Sequence, residues 1–222
     1  MTGGREKVGR PGGVDLWVMR LDPPEADVAA CWEALSAPER ERAARLSRAE
    51  VRRRFVVARG GLRHVLAAHL AAPARSLAFE PGLHGKPMLP GGPRFSLSHS
   101  GDLALCAVAQ EREVGVDVER LRPIPEADDI ARRWFAEDDL AAYRTARGAR
   151  RESVFLLLWT RREAWLKAIG LGLSDGSART PIDTGRWELH DLFPDEAFVG
   201  ALAVERVPEP ADSASPPGPA GR

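Results

Sequence analysis

Hydrophobic and polar positions along the chain fall into segments of two periods, near 2 and near 3.6 residues. Alternation over residues 14–21 predicts a first strand, and a helix follows around residues 27–35. Ser36-Ala37-Pro38-Glu39 has the spacing of a capping box, with a proline near the first turn, and starts another helix. Phe55, Val56, Leu62, Val65, Leu66 and Leu70 recur at helical spacing, predicting a long helix that begins near Ala49 and ends before Pro73. Residues 77–80 read as a short strand. Residues 83–87 read as a loop punctuated by glycine and proline, whose lone Lys86 is expected to face solvent. Residues 94–98 form a strand, and residues 103–109 an apolar one, paired through the 110–113 turn with a strand over 114–119 in an antiparallel hairpin. Pro123 and Pro125 break the chain. Helices are predicted about residues 126–135 and 137–147, then a second dominant helix over 150–169 and closing strands at 187–192 and 198–205.

Each half thus offers a long helix plus strands. The class expected is α+β, as a duplicated unit with halves at residues 14–112 and 113–206, although no sequence repeat is visible. Residues 207–222 are dominated by Pro, Ala, Ser and Gly and are expected to stay disordered, having too little to bury. Lys+Arg and Asp+Glu are both 32, and zero net charge disfavours a nucleic-acid binder. Nine arginines against two acids between Arg40 and Arg63 still make a locally basic face, either solvated or suited to phosphates. Cys31 and Cys106 sit among apolar residues, which suits buried thiols in a reducing cytoplasm. No apolar run approaches the roughly 18 residues of a membrane span, and residues 1–13 lack the apolar core of an export signal.

The chemistry centres on Val114-Gly115-Val116-Asp117-Val118-Glu119. Side chains alternate across a strand, so Asp117 and Glu119 share a face. Two like charges side by side there call for a cation, most simply a hard divalent metal. Read alone, the six residues better describe the wet end of an edge strand with Asp117 paired to an arginine. Two further polar motifs sit in apolar sequence: residues 94–102, containing Ser98-His99-Ser100-Gly101, and residues 159–170. In the latter, Trp159, Glu163 and Lys167 recur at i, i+4 and i+8 along one helical face. The plain alternative is a surface Glu–Lys pair worth about 0.3 kcal/mol.

Phe95-Ser96-Leu97-Ser98-His99-Ser100, Gly115-Val116-Asp117-Val118-Glu119 and Trp159-Thr160-Arg161-Arg162-Glu163-Ala164-Trp165-Leu166-Lys167 together resemble the three signatures of the 4′-phosphopantetheinyl transferases of the surfactin-synthetase-activating type. Gly85-Lys86-Pro87 and the strand at 198–204 are similar as well, so the resemblance covers about residues 14–206. It implies two similar α+β halves in a pseudo-dimer, binding coenzyme A and Mg2+ in the cleft between them. It further implies transfer of the phosphopantetheine arm to a serine of an apo acyl or peptidyl carrier protein, with release of adenosine 3′,5′-bisphosphate, by a cytoplasmic monomer. Carried over by residue, Asp117, Glu119 and Glu163 would be metal ligands. Ser98 and His99 would meet the 3′-phosphate and ribose region, and Lys86 and Arg54 the phosphates or adenine end. Lys167 would face the diphosphate, and Arg40 is a looser match to a phosphate contact. Either Glu163 or a water oriented by Glu119 would accept the serine proton. Arg162 departs from the family's usual lysine, keeping the charge but altering its contact geometry.

Three other readings compete. A binding module without turnover would hold coenzyme A and release no bisphosphate. A metal-dependent phosphodiesterase would free phosphopantetheine without a carrier, and a nucleic-acid binder would show steep salt dependence. Between residues 126 and 147, Ile130, Trp134, Phe135, Leu140 and Tyr143 accompany Arg132, Arg133, Arg144 and Arg147. They are expected to be part core and part groove for an acidic carrier helix.

Overall fold

The computed structural model describes residues 4–82, 85–172 and 178–207. A four-stranded antiparallel sheet is built from β1 (Arg5–Gly9), β2 (Asp15–Arg20), β6 (Leu103–Ala109) and β5 (Arg94–Ser100), side by side in that order. A three-stranded antiparallel sheet holds β7 (Val114–Arg120), β9 (Phe198–Glu205) and β8 (Trp187–Asp195) in that order. Leu103, Leu105 and Ala107 from β6 meet Val114, Val116 and Val118 from β7 between the sheets. The alternate side chains of β6, Ala104, Cys106 and Val108, pack instead on α3 (Ala49–Leu70). Beyond the second sheet, Ala201 and Ala203 of β9 pack on α6 (Ala149–Ala168). Each sheet is therefore backed by one of the two long helices, as the mixed α+β reading requires. Helices α1 (Glu25–Ala34) and α2 (Ala37–Ala44) cover α3, while α4 (Ala127–Trp134) and α5 (Glu137–Thr145) cover α6.

Local signals explain most boundaries. The Glu39 carboxylate accepts from the Ser36 N–H at 2.9 Å and the Ser36 side chain accepts from the Glu39 backbone N–H, the reciprocal capping box that opens α2. Helix α3 stops at a left-handed Ala71, ahead of Pro73.

Three expectations need correction. No hairpin joins β6 to β7, because both edges of β6 are already taken by β2 and β5, and the 110–113 connection carries the chain into the other sheet. The strand expected at 77–80 shrinks to β3 (Glu80–Pro81), paired with β4 (Pro87–Met88), since continuing this register back toward residue 77 would set Pro90, which has no donor, opposite Ala78. Strand β1 was not foreseen; its single apolar side chain gives no alternation, and it is held by pairing with β2 and by a Lys7–Asp15 bridge of 2.7 Å. Of the residues expected to be part core and part groove, Trp134, Phe135, Leu140 and Tyr143 are the core part, under α6 and at most 8% exposed. Leu83 and His84 of the expected loop, and the expected tail beyond Val207, lie outside the described residues.

Candidate functional site

Strand β7 turns Asp117 toward α6, because its cross-strand partner Ala201 packs there. Gly115 makes the approach possible: a Cβ at that position would stand 2.0 Å from the Ala164 carbonyl oxygen and 2.4 Å from the Ala168 nitrogen. With no side chain at 115, the helix lies directly on the strand and brings Glu163 and Lys167 to Asp117.

At that contact, Asp117 is 2% exposed, and its Oδ1 accepts from Lys167 Nζ at 2.5 Å and from Ser98 Oγ at 2.7 Å. Its Oδ2 is buried with no partner among the described residues. Glu163 lies 3.5 Å from the same ammonium. Burial raises the Asp117 pKa, and Lys167 and the Ser98 hydroxyl only partly oppose it. Burial and then the Asp117 charge push Glu163 up to about 7. Glu119 stands at the open end of β7, accepting from Ser100 Oγ at 2.8 Å and Arg122 Nη1 at 2.7 Å.

The two sheets meet here through side chains. Ser96 Oγ accepts from the Val116 N–H at 3.1 Å, and Ser100 Oγ accepts from the Arg120 N–H at 3.2 Å. Ser98 stands between them on Asp117, so hydroxyls at every second residue of β5 stitch it to β7.

As the side chains stand, no three His, Cys, Asp or Glu among the described residues form a group able to hold a metal ion. The Lys167 ammonium lies at both Asp117 and Glu163, while Glu119 is engaged by Ser100 and Arg122. The donor set nevertheless suits a hard divalent cation: an orphaned buried carboxylate oxygen and two carboxyls with raised pKa values mark a site short of positive charge.

Beside this cluster runs a groove in two lobes. One, of about 350 Å³, lies against Lys167, Lys86 and Gly170; the other, of about 430 Å³, is walled by Arg42, Phe55, Phe79 and His99. Arg59, Gly85, Pro87 and Leu97 line both. The partly enclosed His99 ring has its pKa lowered by burial, then by the charges of Lys167 and Arg54.

Asp117, Ser98, Glu163 and Lys167 thus come together, with Glu119 at the next outward position. His99 and Lys86 line the groove. Arg54 pairs with Asp22 at 2.8 Å and Glu50 at 2.8 Å, and is felt by His99. Arg40 turns to Glu33 at 3.1 Å and lies over the Trp32 ring at 5.3 Å, outside both lobes. Arg42 and Arg59 were missed: they belong to the basic stretch of residues 40–63, and only the fold tells which arginines face the groove. Lys86 is turned inward, bonding Glu113, Val114 and Ala168. Arg162 is buried over the Trp165 ring at 5.1 Å and donates to the Thr180 carbonyl, so these contacts of the substituted position lie outside the acid cluster.

A buried acid and lysine cluster beside a groove lined with arginine and aromatic side chains suits an anionic ligand. Comparison with known proteins makes the class definite. The 4′-phosphopantetheinyl transferase superfamily profile matches residues 113–199, from β7 into β9. The chain is 36% identical over 206 residues to the 4′-phosphopantetheinyl transferase HetI of Nostoc sp., covering 86% of this chain and 87% of that one. It is 32% identical to a putative 4′-phosphopantetheinyl transferase of Synechocystis sp., over 82% of this chain and 70% of the relative. Against the 4′-phosphopantetheinyl transferase Sfp of Bacillus subtilis, identity is 27% over 70% of this chain and 67% of that one. The chain belongs to the 4′-phosphopantetheinyl transferase family of enzymes.

Proposed function

We propose that this enzyme moves the 4′-phosphopantetheine arm of coenzyme A onto a serine of an apo acyl or peptidyl carrier protein, in the surfactin-synthetase-activating manner and with Mg2+. The observation that carries the reading is the under-compensated carboxyl cluster of Asp117 and Glu163 around Lys167, which itself lines one lobe of the groove. The serine oxygen forms a bond to the phosphorus that carries the arm. The bond from that phosphorus to the bridging oxygen breaks, and adenosine 3′,5′-bisphosphate leaves with the electron pair.

Asp117, Glu119 and Glu163 would hold the metal, which when bound neutralises charge developing on the diphosphate. Lys167 places a second positive charge there. Either Glu163 or a water oriented by Glu119 would accept the serine proton. His99, Arg42 and Arg59 would receive the nucleotide end, where guanidinium and aromatic faces suit phosphate and base. The two sheet-and-helix halves, 14–112 and 113–206, would then act as one monomer, with the lobe at Lys86 and Lys167 lined from both. The buried, unpaired Cys31 and Cys106 suit a reducing cytoplasm.

The test is to incubate the chain with coenzyme A, Mg2+ and several apo carriers, then weigh the carriers. A gain of one phosphopantetheine per carrier with equal release of bisphosphate is expected; no gain on any carrier overturns the reading. Free phosphopantetheine without a carrier would instead identify a phosphodiesterase.

A further inference from the structure

The Lys86 ammonium donates to Glu113 Oε2 at 3.0 Å, the Val114 carbonyl at 3.1 Å and the Ala168 carbonyl at 3.1 Å. An ammonium has three N–H groups, so all are in use and none is left to point into the groove. The partners are also particular. Ala168 ends α6, where carbonyls lack intrahelical donors and the helix dipole is negative. Val114 opens β7 and directly precedes Gly115, on which the Ala164 to Ala168 backbone rests. The missing side chain lets helix and strand touch, and one cation from the loop before β4 bridges them at the same spot. Lys167, which meets Asp117 at 2.5 Å, is bonded to Ala168 in the chain.

We infer that Lys86 is a positioning residue, clamping the end of α6 to the start of β7 and thereby fixing Lys167 on Asp117, and is not a ligand of the substrate's phosphates. The inference rests on the transferase reading for its kinetic test, so one readout is chosen to be independent of turnover.

In the full chain, Lys86→Met removes the ammonium and keeps an unbranched stem, while Lys86→Arg keeps charge and donors. Transfer by the wild-type protein is measured first; its absence is a failure of the proposed function, and the clamp is then decided by amide hydrogen exchange alone. With transfer present, Lys86→Met should lower kcat per coenzyme-A-binding site about tenfold. The KM for coenzyme A, and its ratio to the KM for the substrate lacking the 3′-phosphate, should stay within about twofold. Lys86→Arg should recover most of the loss. Exchange should quicken over residues 164–170 and stay unchanged in α3. Unaltered exchange at 164–170 overturns the clamp, as does a KM that rises severalfold for coenzyme A alone with kcat intact. Should Lys86→Met not fold, the ammonium resonance of Lys86 in the wild-type protein decides: unmoved by coenzyme A it supports the clamp, displaced only when the 3′-phosphate is present it overturns it.

Discussion

Two buried ion clusters lie under the two long helices, and they are completed to different degrees. Under α3, Glu39 takes Arg59 and Arg63, each at 2.6 Å. Arg63 also donates to the carbonyls of Ala74 and Leu77, and both guanidiniums lie over the Phe79 ring at 4.7 and 4.8 Å. Burial works to raise the Glu39 pKa, yet hydrogen bonds from the Ser36 backbone, Arg63 and Arg59 outweigh it and hold the carboxyl below its ordinary range. Under α6, burial works the same way on Asp117 and Glu163, and one lysine cannot outweigh it. A charge buried for stability is surrounded until its oxygens are used; a charge buried for chemistry is left short of partners, to be completed by what binds.

The sharpest way to break this contrast is to delete the acids. Asp117→Ala or Glu163→Ala should lower transfer on the order of a thousandfold, because charge stabilisation at the diphosphate is lost. In urea unfolding without divalent metal, the same variants should be as stable as wild type or more so, since repulsion is relieved. Near-normal turnover at physiological magnesium would dissolve the distinction. In the other cluster the sign reverses: Arg63→Ala leaves Glu39 buried beside a lost partner and should cost about 3–5 kcal/mol in the same unfolding experiment.

A smaller effect tests the linkage. Because the folded-state pKa of Glu39 is depressed, the stability it contributes is present above its unfolded pKa and is lost as pH falls through the carboxylate range. Glu39→Gln should therefore be less stable at neutral pH and show a flatter decline between about pH 5 and 3. A profile parallel to wild type would remove Glu39 from the acid transition. Smallest of all, His99→Ala should raise the KM for coenzyme A severalfold, and less for the substrate lacking the 3′-phosphate, as expected of binding energy used away from the reacting atoms. Equal rises for both substrates would make His99 part of the groove wall only.

What the chain disclosed before folding follows the range of each signal. Alternation at 115–119 put Asp117 and Glu119 on one side, and helical spacing put Glu163 and Lys167 on one stripe, because both are local geometry. Which strand lies beside β7 was not local: an apolar run such as residues 103–109 states that it is buried on both faces, not which neighbours it takes. Lys86 looked like an exposed loop residue because its three acceptors lie 27, 28 and 82 residues away. That Arg42 lines the groove while Arg40 lies outside both lobes has a related reason. Within one basic turn, the arginine that reaches the groove is set by whether Glu33 and Trp32 claim its neighbour.

The serine seam between β5 and β7 is a keyed joint. Hydroxyls occupy residues 96, 98 and 100, and the preceding Phe95 and intervening Leu97 and His99 carry none. Sliding one strand by a single residue would not loosen the joint by degrees; it would set phenylalanine, leucine and imidazole against a backbone N–H and two carboxylates. Alignment between the parts that carry the groove and the parts that carry the acids is therefore all-or-none. Across this joint, three short hydroxyls set the register of Asp117 and Glu119 against the groove-bearing strand.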